Sequence, residues 1–303
     1  MPTKSQLAKA DPATFPETAG GAAETGISPE DQAFLATLLR ERSGLSITSE
    51  RSHLVERRLE PVASRHGFKD VAELVRGLRQ ATETLCRTVT DAMTINDTSF
   101  FRDEEPFDCF REIMLPNLAK ARRRKKTIRI WCAAASTGQE AYSLAMILDG
   151  LPQFAGWTVD IIGTDINAEI VERARDGIYS QFEVQRGLPS RMLAKHFQQH
   201  GEELRLSNAI RKRVQFRVFN LLDSYAGLDT FDVIFCRNVL MYFDQQSKQD
   251  VLNRLSDALA PDGYLVLGSA ETVMGLGKNF KAMANAPGIY MKTRGQPSRA
   301  AMG

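Results

Sequence analysis

The chain has 303 residues, 43% of them apolar and about a quarter charged, the composition of a soluble globular protein with room for two domains. Its net charge of +2 favours neither nucleic acid nor an acidic partner, so electrostatic partners must be sought in local patches. No apolar run reaches the ~18 residues of a membrane span. Residues 1–27, rich in Ala, Thr, Pro, Gly and Glu, lack the apolar stretch of a secretory signal and read as a disordered tail.

Residues 28–95 carry helical periodicity throughout. Phe34, Leu35, Leu38 and Leu39 mark one helix, and Val55, Leu59 and Val62 a second that contains Pro61. Val71, Leu74, Val75 and Leu78 mark a third, and a fourth runs from about Leu85 to Met93. Arg51, Arg58 and Arg65 recur at seven-residue spacing, with Arg57 beside them. Such a stripe is either a border of the apolar face, snorkelling into water, or a basic ridge for an acidic partner.

Residues 96–126 read as a linking loop and helix. The stretch MTINDTSFFR, Met93 to Arg102, has the Asn, Asp, Thr and Ser of a structured loop and ends on aromatic bulk beside a cation. A helix from about Pro106 to Ala121 leads to Arg122, Arg123, Arg124, Lys125 and Lys126. A cationic run at a helix C-terminus complements the helix dipole and is read first as a solvated face.

Residues 127–292 then read as an α/β domain. Ile128, Ile130 and Trp131 form an unalternating apolar run, as in a parallel strand covered on both faces, followed by the small-residue loop AAASTG and a helix with Ala141, Leu144, Ala145 and Leu148 on one face. The loop lacks the Lys-Ser or Lys-Thr of a P-loop and two glycines of a dinucleotide fingerprint. Taken alone it is either a ligand loop or a packed turn. The next strand ends on Thr164 and Asp165, where an acidic side chain holds ribose hydroxyls in nucleoside-binding sheets. Residues 178–211 form an over-long connection, read as an inserted subdomain with at least one hairpin. Strand Val214 to Phe219 follows, then Phe231 to Cys236 with Arg237 and Asn238 at its ligand-facing end. Leu252, Leu255 and Leu259 are assigned to one helix, Pro261 to Gly263 to a turn, and Tyr264 to Leu267, Phe280 and Ile289 to Met291 to the closing strands. Residues 293–303 read as a tail.

The four cysteines are scattered without a C-x-x-C pair, which points to a reducing, cytoplasmic compartment. His196 and His200 lie at i, i+4 but lack a third ligand, so no metal is expected.

In order and spacing, MTINDTSFFR, WCAAASTGQEAYSLAMIL, IIGTDIN, FNLLD and FDVIFCRNVLMYF resemble the bacterial chemoreceptor glutamate O-methyltransferases, the CheR family. The resemblance spans residues 28–292. It implies an α/β architecture: a small N-terminal helical domain, then a Rossmann-like S-adenosylmethionine-dependent methyltransferase domain with a small inserted β-subdomain. It also implies S-adenosyl-L-methionine as cofactor, S-adenosyl-L-homocysteine as product, and the cytoplasmic helical domain of a chemoreceptor as partner. Neither nucleic acid nor membrane insertion belongs to that reading.

By matching positions, Asn96, Thr98 and Arg102 would close over the cofactor, Glu140 would bind it, and Asp165 would take the ribose hydroxyls. Asn220 and Leu221 would border adenine, Arg237 and Asn238 would line the methyl-transfer pocket, and Arg102 and Tyr242 would be the catalytic pair. Arg51, Arg58 and Arg65 are candidates for aligning an acidic receptor helix. Some family members hold a receptor C-terminal pentapeptide on the inserted hairpin. Here FQQHGEEL is short, with Glu202 and Glu203 in it, so no such tether is expected. The competing readings are a methyltransferase for another substrate and a non-catalytic cofactor-binding scaffold.

Overall fold

A computed structural model describes residues 26–47, 52–276, 279–284 and 286–293. Arg51 and nearly all of both expected tails lie outside the described residues. Gly26, Ile27 and Thr293 are described: Ile27 is buried in the helical core, and the Thr293 N–H donates to the Asn279 carbonyl at 2.8 Å.

The helical domain holds α1 (Pro29–Ser43), α2 (Ser52–Arg65), α3 (Val71–Gly77) and α4 (Glu83–Met93). Ser28, Asp70 and Thr82 cap the starts of α1, α3 and α4 by accepting backbone N–H bonds. Their apolar faces meet in one core around Leu35, Leu39, Leu59, Leu74 and Val89. Helix α1 ends at Gly44, whose left-handed φ of 74° lets the chain turn against the Phe243 ring.

The expected linking helix is continuous but changes pitch, through α5 (Glu105–Cys109), a π segment (Phe110–Met114) and α6 (Leu115–Ala121). The π segment brings Phe110 and Met114 inward, with Phe110 edge-on to Phe235.

The α/β domain then runs β1 (Thr127–Ala133), α7 (Gln139–Asp149), β2 (Thr158–Asp165) and α8 (Ala168–Asp176). The inserted part holds β3 (Ile178–Tyr179), α9 (Gln181–Gln185), α10 (Ser190–His196), β4 (Phe197–His200), β5 (Glu203–Leu206) and α11 (Asn208–Arg211). It forms a small antiparallel sheet in the order β3-β5-β4. Next come β6 (Val214–Val218), β7 (Phe231–Cys236), α12 (Gln245–Ala258), β8 (Leu259–Leu267), β9 (Phe280–Ala282) and β10 (Ile289–Lys292). The main sheet is ordered β6-β2-β1-β7-β8-β10-β9, parallel through β8 and closed by antiparallel β10 and β9.

Alternate β1 residues serve opposite cores: Ile128, Ile130 and Cys132 pack on one face, Trp131 and Ala133 on the other. Both faces are covered, so the strand has no polar alternation to show. Strand order reverses between β1 and β7, which opens a crevice at their C-terminal ends.

One boundary differs from the sequence reading. Leu259 begins β8 and pairs with Phe231 instead of extending α12, and Pro261 to Gly263 lie inside that strand. An irregular register at Phe231 and Val233 accommodates them, and a side chain at 263 would meet the Asp232 carbonyl at 2.9 Å. The histidine pair also fails as a helix-face dyad, since His196 is buried at the end of α10 and His200 is exposed on β4.

Candidate functional site

The reversal point of the sheet opens into a cleft of about 980 Å³ including its mouth, a size suited to a nucleoside-bearing ligand. Asn96, Thr98, Arg102, Glu140, Asp165, Asn220, Leu221, Arg237, Asn238 and Tyr242 all line it.

Its floor is the β1–α7 loop. Ala134, Ser136 and Gly138 have φ of 61°, 50° and 94°, a succession of left-handed residues that explains the small side chains. A Cβ on Gly138 would sit 2.9 Å from the Phe216 ring. At the tip of β2, Asp165 is buried and already oriented, because one carboxylate oxygen accepts the Ser136 N–H at 2.9 Å and the other the Asn167 N–H at 3.1 Å. Burial pushes its carboxyl up, while the N–H groups of Asn167, Ser136 and Ile166 oppose that shift. Each oxygen keeps a lone pair for another donor.

At the tip of β7, Arg237 is buried to 2% side-chain exposure and joins three groups. It donates to Glu140 at 3.1 Å, to Asp103 at 2.7 Å and to the Arg102 carbonyl at 2.9 Å. Burial raises the Glu140 carboxyl, and Arg237 opposes the rise. Arg237 is therefore less a wall of the pocket than the counter-ion that keeps a buried carboxylate usable.

The other wall comes from the loop after α4 and from the helical domain. The Ser136 hydroxyl donates to the Asn96 carbonyl at 2.9 Å, and the Phe101 N–H to Ser143 Oγ at 3.1 Å. Arg102 donates to the Asp97 carbonyl at 2.8 Å, and Arg186 of the inserted subdomain grips the Asp97 carboxylate at 2.7 Å. Gly187 packs so close to the Phe100 carbonyl that a Cβ there would lie 2.2 Å away.

Two lining residues lie outside every motif quoted from the sequence: Ser43 and Leu45. The Ser46 N–H donates to the Tyr242 carbonyl at 2.8 Å and Leu45 bridges to Phe243, so the turn after α1 is stitched to the segment bearing Tyr242. No motif signals this, because the partners are about two hundred positions apart. Asn220 is also spoken for. Its amide donates to the Arg42 carbonyl at 2.6 Å and its carbonyl accepts from the Leu222 N–H, so it fastens the two domains beside the cleft.

Of the three arginines at ridge spacing, Arg51 lies outside the described residues. Arg58 turns inward to donate to the carbonyls of Met93 at 2.9 Å and Thr94 at 2.6 Å, holding the end of α4. Arg57 and Arg65 are exposed. Within the cationic run, Arg122 pairs with Asp232 and Asp262 rather than standing free in solvent. Among the described residues no three His, Cys, Asp or Glu side chains gather as a metal site, and no helix is long and apolar enough to cross a membrane.

A helical domain set over the ligand end of a parallel sheet, with an acidic strand tip and a small-residue loop, defines a nucleoside-binding α/β class. Residues 96–289 match the family model described as CheR methyltransferase, SAM binding domain, and residues 30–94 match its all-alpha domain. The chain belongs to the CheR methyltransferase family. It is 38% identical over 262 residues to chemotaxis protein methyltransferase 1 of Pseudomonas aeruginosa, covering 84% of this chain and 95% of that one. A chemotaxis protein methyltransferase of Vibrio parahaemolyticus is 36% identical over 277 residues, covering 89% and 100%. One from Escherichia coli is 33% identical over 253 residues, covering 81% and 85%.

Proposed function

We propose that this methyltransferase esterifies glutamate side chains on the cytoplasmic helical domain of a chemoreceptor. The observation that carries the reading is the cation content of the cleft. Among the described residues its only Lys, Arg or His side chains are Arg102 and Arg237; Arg237 is neutralised by Glu140 and Asp103, and Arg102 lies 3.7 Å from the Asp97 carboxylate. Two guanidiniums that already face carboxylates suit a ligand of little net negative charge and not a polyphosphate chain. The stretch after β7, CRNVLMYF, also lacks the Pro-Pro-Tyr of enzymes that methylate base amines.

The lining fits S-adenosylmethionine. Asp165 keeps one lone pair on each oxygen for the two ribose hydroxyls, Leu221 and Phe219 offer an apolar border to adenine, and Glu140 with Arg102 matches an amino acid zwitterion. When bound, the cofactor supplies a methyl group on a cationic sulfur that leaves as a neutral thioether. A glutamate side chain, with a pKa of about 4.3, is already the nucleophile at neutral pH. No base is required of the protein, and among the described residues no His, Cys or Lys lines the cleft. What remains is alignment and exclusion of water. Arg102 fixes a carboxylate through its fork of donors, Tyr242 orients by hydrogen bonding, and Asn96, Thr98 and Asn238 close the walls.

Docking of the acidic receptor helix falls to Arg65 and Arg57, since Arg58 is committed to α4. The β4–β5 turn has only Gly201 and Glu202 between its strands, and Glu202 and Glu203 would repel an acidic tail. The enzyme therefore works without the C-terminal pentapeptide tether.

The test is transfer of radiolabelled methyl groups from S-adenosylmethionine to receptor-containing membranes, followed by mild alkali. Label released as methanol supports the ester. Alkali-stable label, or no transfer, contradicts it.

A further inference from the structure

We propose that Glu271 is a positioning residue for methyl transfer, holding the segment from Arg237 to Tyr242 in its working shape. The inference rests on the functional reading above. Glu271 lies outside the cleft, in the turn after β8, and is 8% exposed. Its partners are backbone N–H groups on two strand tips. One carboxylate oxygen accepts from Asn238 at 2.8 Å and Gly268 at 2.8 Å, and the other from Val239 at 2.9 Å and Met241 at 3.1 Å.

Three of the four donors belong to the segment that bears Asn238, Val239 and Tyr242, all of which line the cleft. That segment has little structure of its own near its start. A 3₁₀ turn at Leu240–Tyr242 and the Ser46 bond hold its far end, but it leaves β7 through Asn238 at φ 58°, a left-handed conformation that a non-glycine residue adopts only when its surroundings impose it. A bidentate anion facing converging N–H groups supplies that constraint, and only a carboxylate has acceptor sites on both oxygens with no proton to clash. The seat is tight as well, since a Cβ on Gly268 would lie 2.8 Å from Glu271 Oε2 and 2.8 Å from Asn238 Nδ2. Glu271 thus ties the tip of β7 to that of β8 and sets where Tyr242 stands relative to the sheet.

Glu271→Gln keeps the size but turns an NH₂ toward two N–H donors. The expected result is a kcat for receptor methylation lowered roughly ten- to hundredfold, as for a displaced catalytic group, with KM for S-adenosylmethionine within about threefold of wild type. Combined with Tyr242→Phe, the losses should not multiply, because both act through one side chain. A Glu271→Gln rate within about twofold of wild type, or losses that multiply, would overturn the proposal. Gly268→Ala, which pushes the carboxylate from its seat, is the second variant should the first fail to fold, and the same kcat loss is expected. Amide exchange at residues 238, 239 and 241 needs no substrate. Faster exchange there in either variant supports the role of Glu271 even if the substrate differs, whereas unchanged protection refutes it. A wild-type protein that transfers no methyl group counts against the functional reading alone.

Discussion

The two walls of the cleft are built differently. On the sheet side, Asp165, Glu140 and Arg237 sit at strand tips or a helix start, buried or largely so, and tied to backbone or to one another. On the cap side, the end of α1 with the turn after it and the loop after α4 reach the sheet domain through contacts between residues far apart in the chain: Asn220 to the Arg42 carbonyl, Ser46 to the Tyr242 carbonyl, the Leu45–Phe243 bridge, Ser136 to the Asn96 carbonyl, Phe101 to Ser143 and Arg237 to the Arg102 carbonyl. Most of the first wall exists once the sheet folds. The second also needs the helical domain to dock, so part of the ligand's binding free energy is spent on holding two domains together.

Substitutions on the two sides should separate these contributions. The largest effect is expected on the sheet side, where Asp165→Ala removes the carboxylate proposed to hold the ribose and should weaken S-adenosylhomocysteine binding at least about tenfold by calorimetry. Unchanged affinity would remove Asp165 from the site. On the cap side, Asn220→Ala deletes one interdomain bond of about 1 kcal/mol, so affinity should fall by about fivefold. An effect equal to that of Asp165→Ala would mean that Asn220 contacts the ligand itself.

The smallest effect is expected at the seam. Burial pushes the Asp91 carboxyl up to about 6, against the pull of Arg87, with Asp165 and Glu169 adding to the rise. One of its oxygens is buried without a partner. A raised pKa means that the native chain keeps a proton the unfolded chain has released. Stability therefore falls as pH climbs from the unfolded value of about 4 to about 6 and is level above. Asp91→Asn should leave thermal stability unchanged near pH 4 and raise it by a few degrees at neutral pH. An equal gain at both pH values would contradict the burial of charge at this seam.

The same division decided what could be read in advance. Ile128 to Ala133 and the acidic tip at Asp165 announce themselves, because a doubly covered strand and a carboxylate at a strand end leave local patterns. Leu259 looked helical because its spacing continues the α12 stripe, and only pairing with Phe231 makes it a strand. Arg58 kept perfect ridge spacing, yet helical periodicity gives a direction and not a partner, and two carbonyls at the end of α4 claimed it. Leu45 and Glu271 carry no motif at all. Their roles arise from backbone groups that tertiary folding brings to them, and backbone groups are the same in every sequence.

Hydrogen exchange with and without S-adenosylhomocysteine tests most directly whether one ligand is held by both walls. Added protection is expected on the sheet side, in residues 135–140, 165–167 and 219–221, and on the cap side, in residues 42–47 and 94–102. Protection confined to the sheet side, with the cap segments exchanging as in the free protein, would contradict a ligand held by both walls.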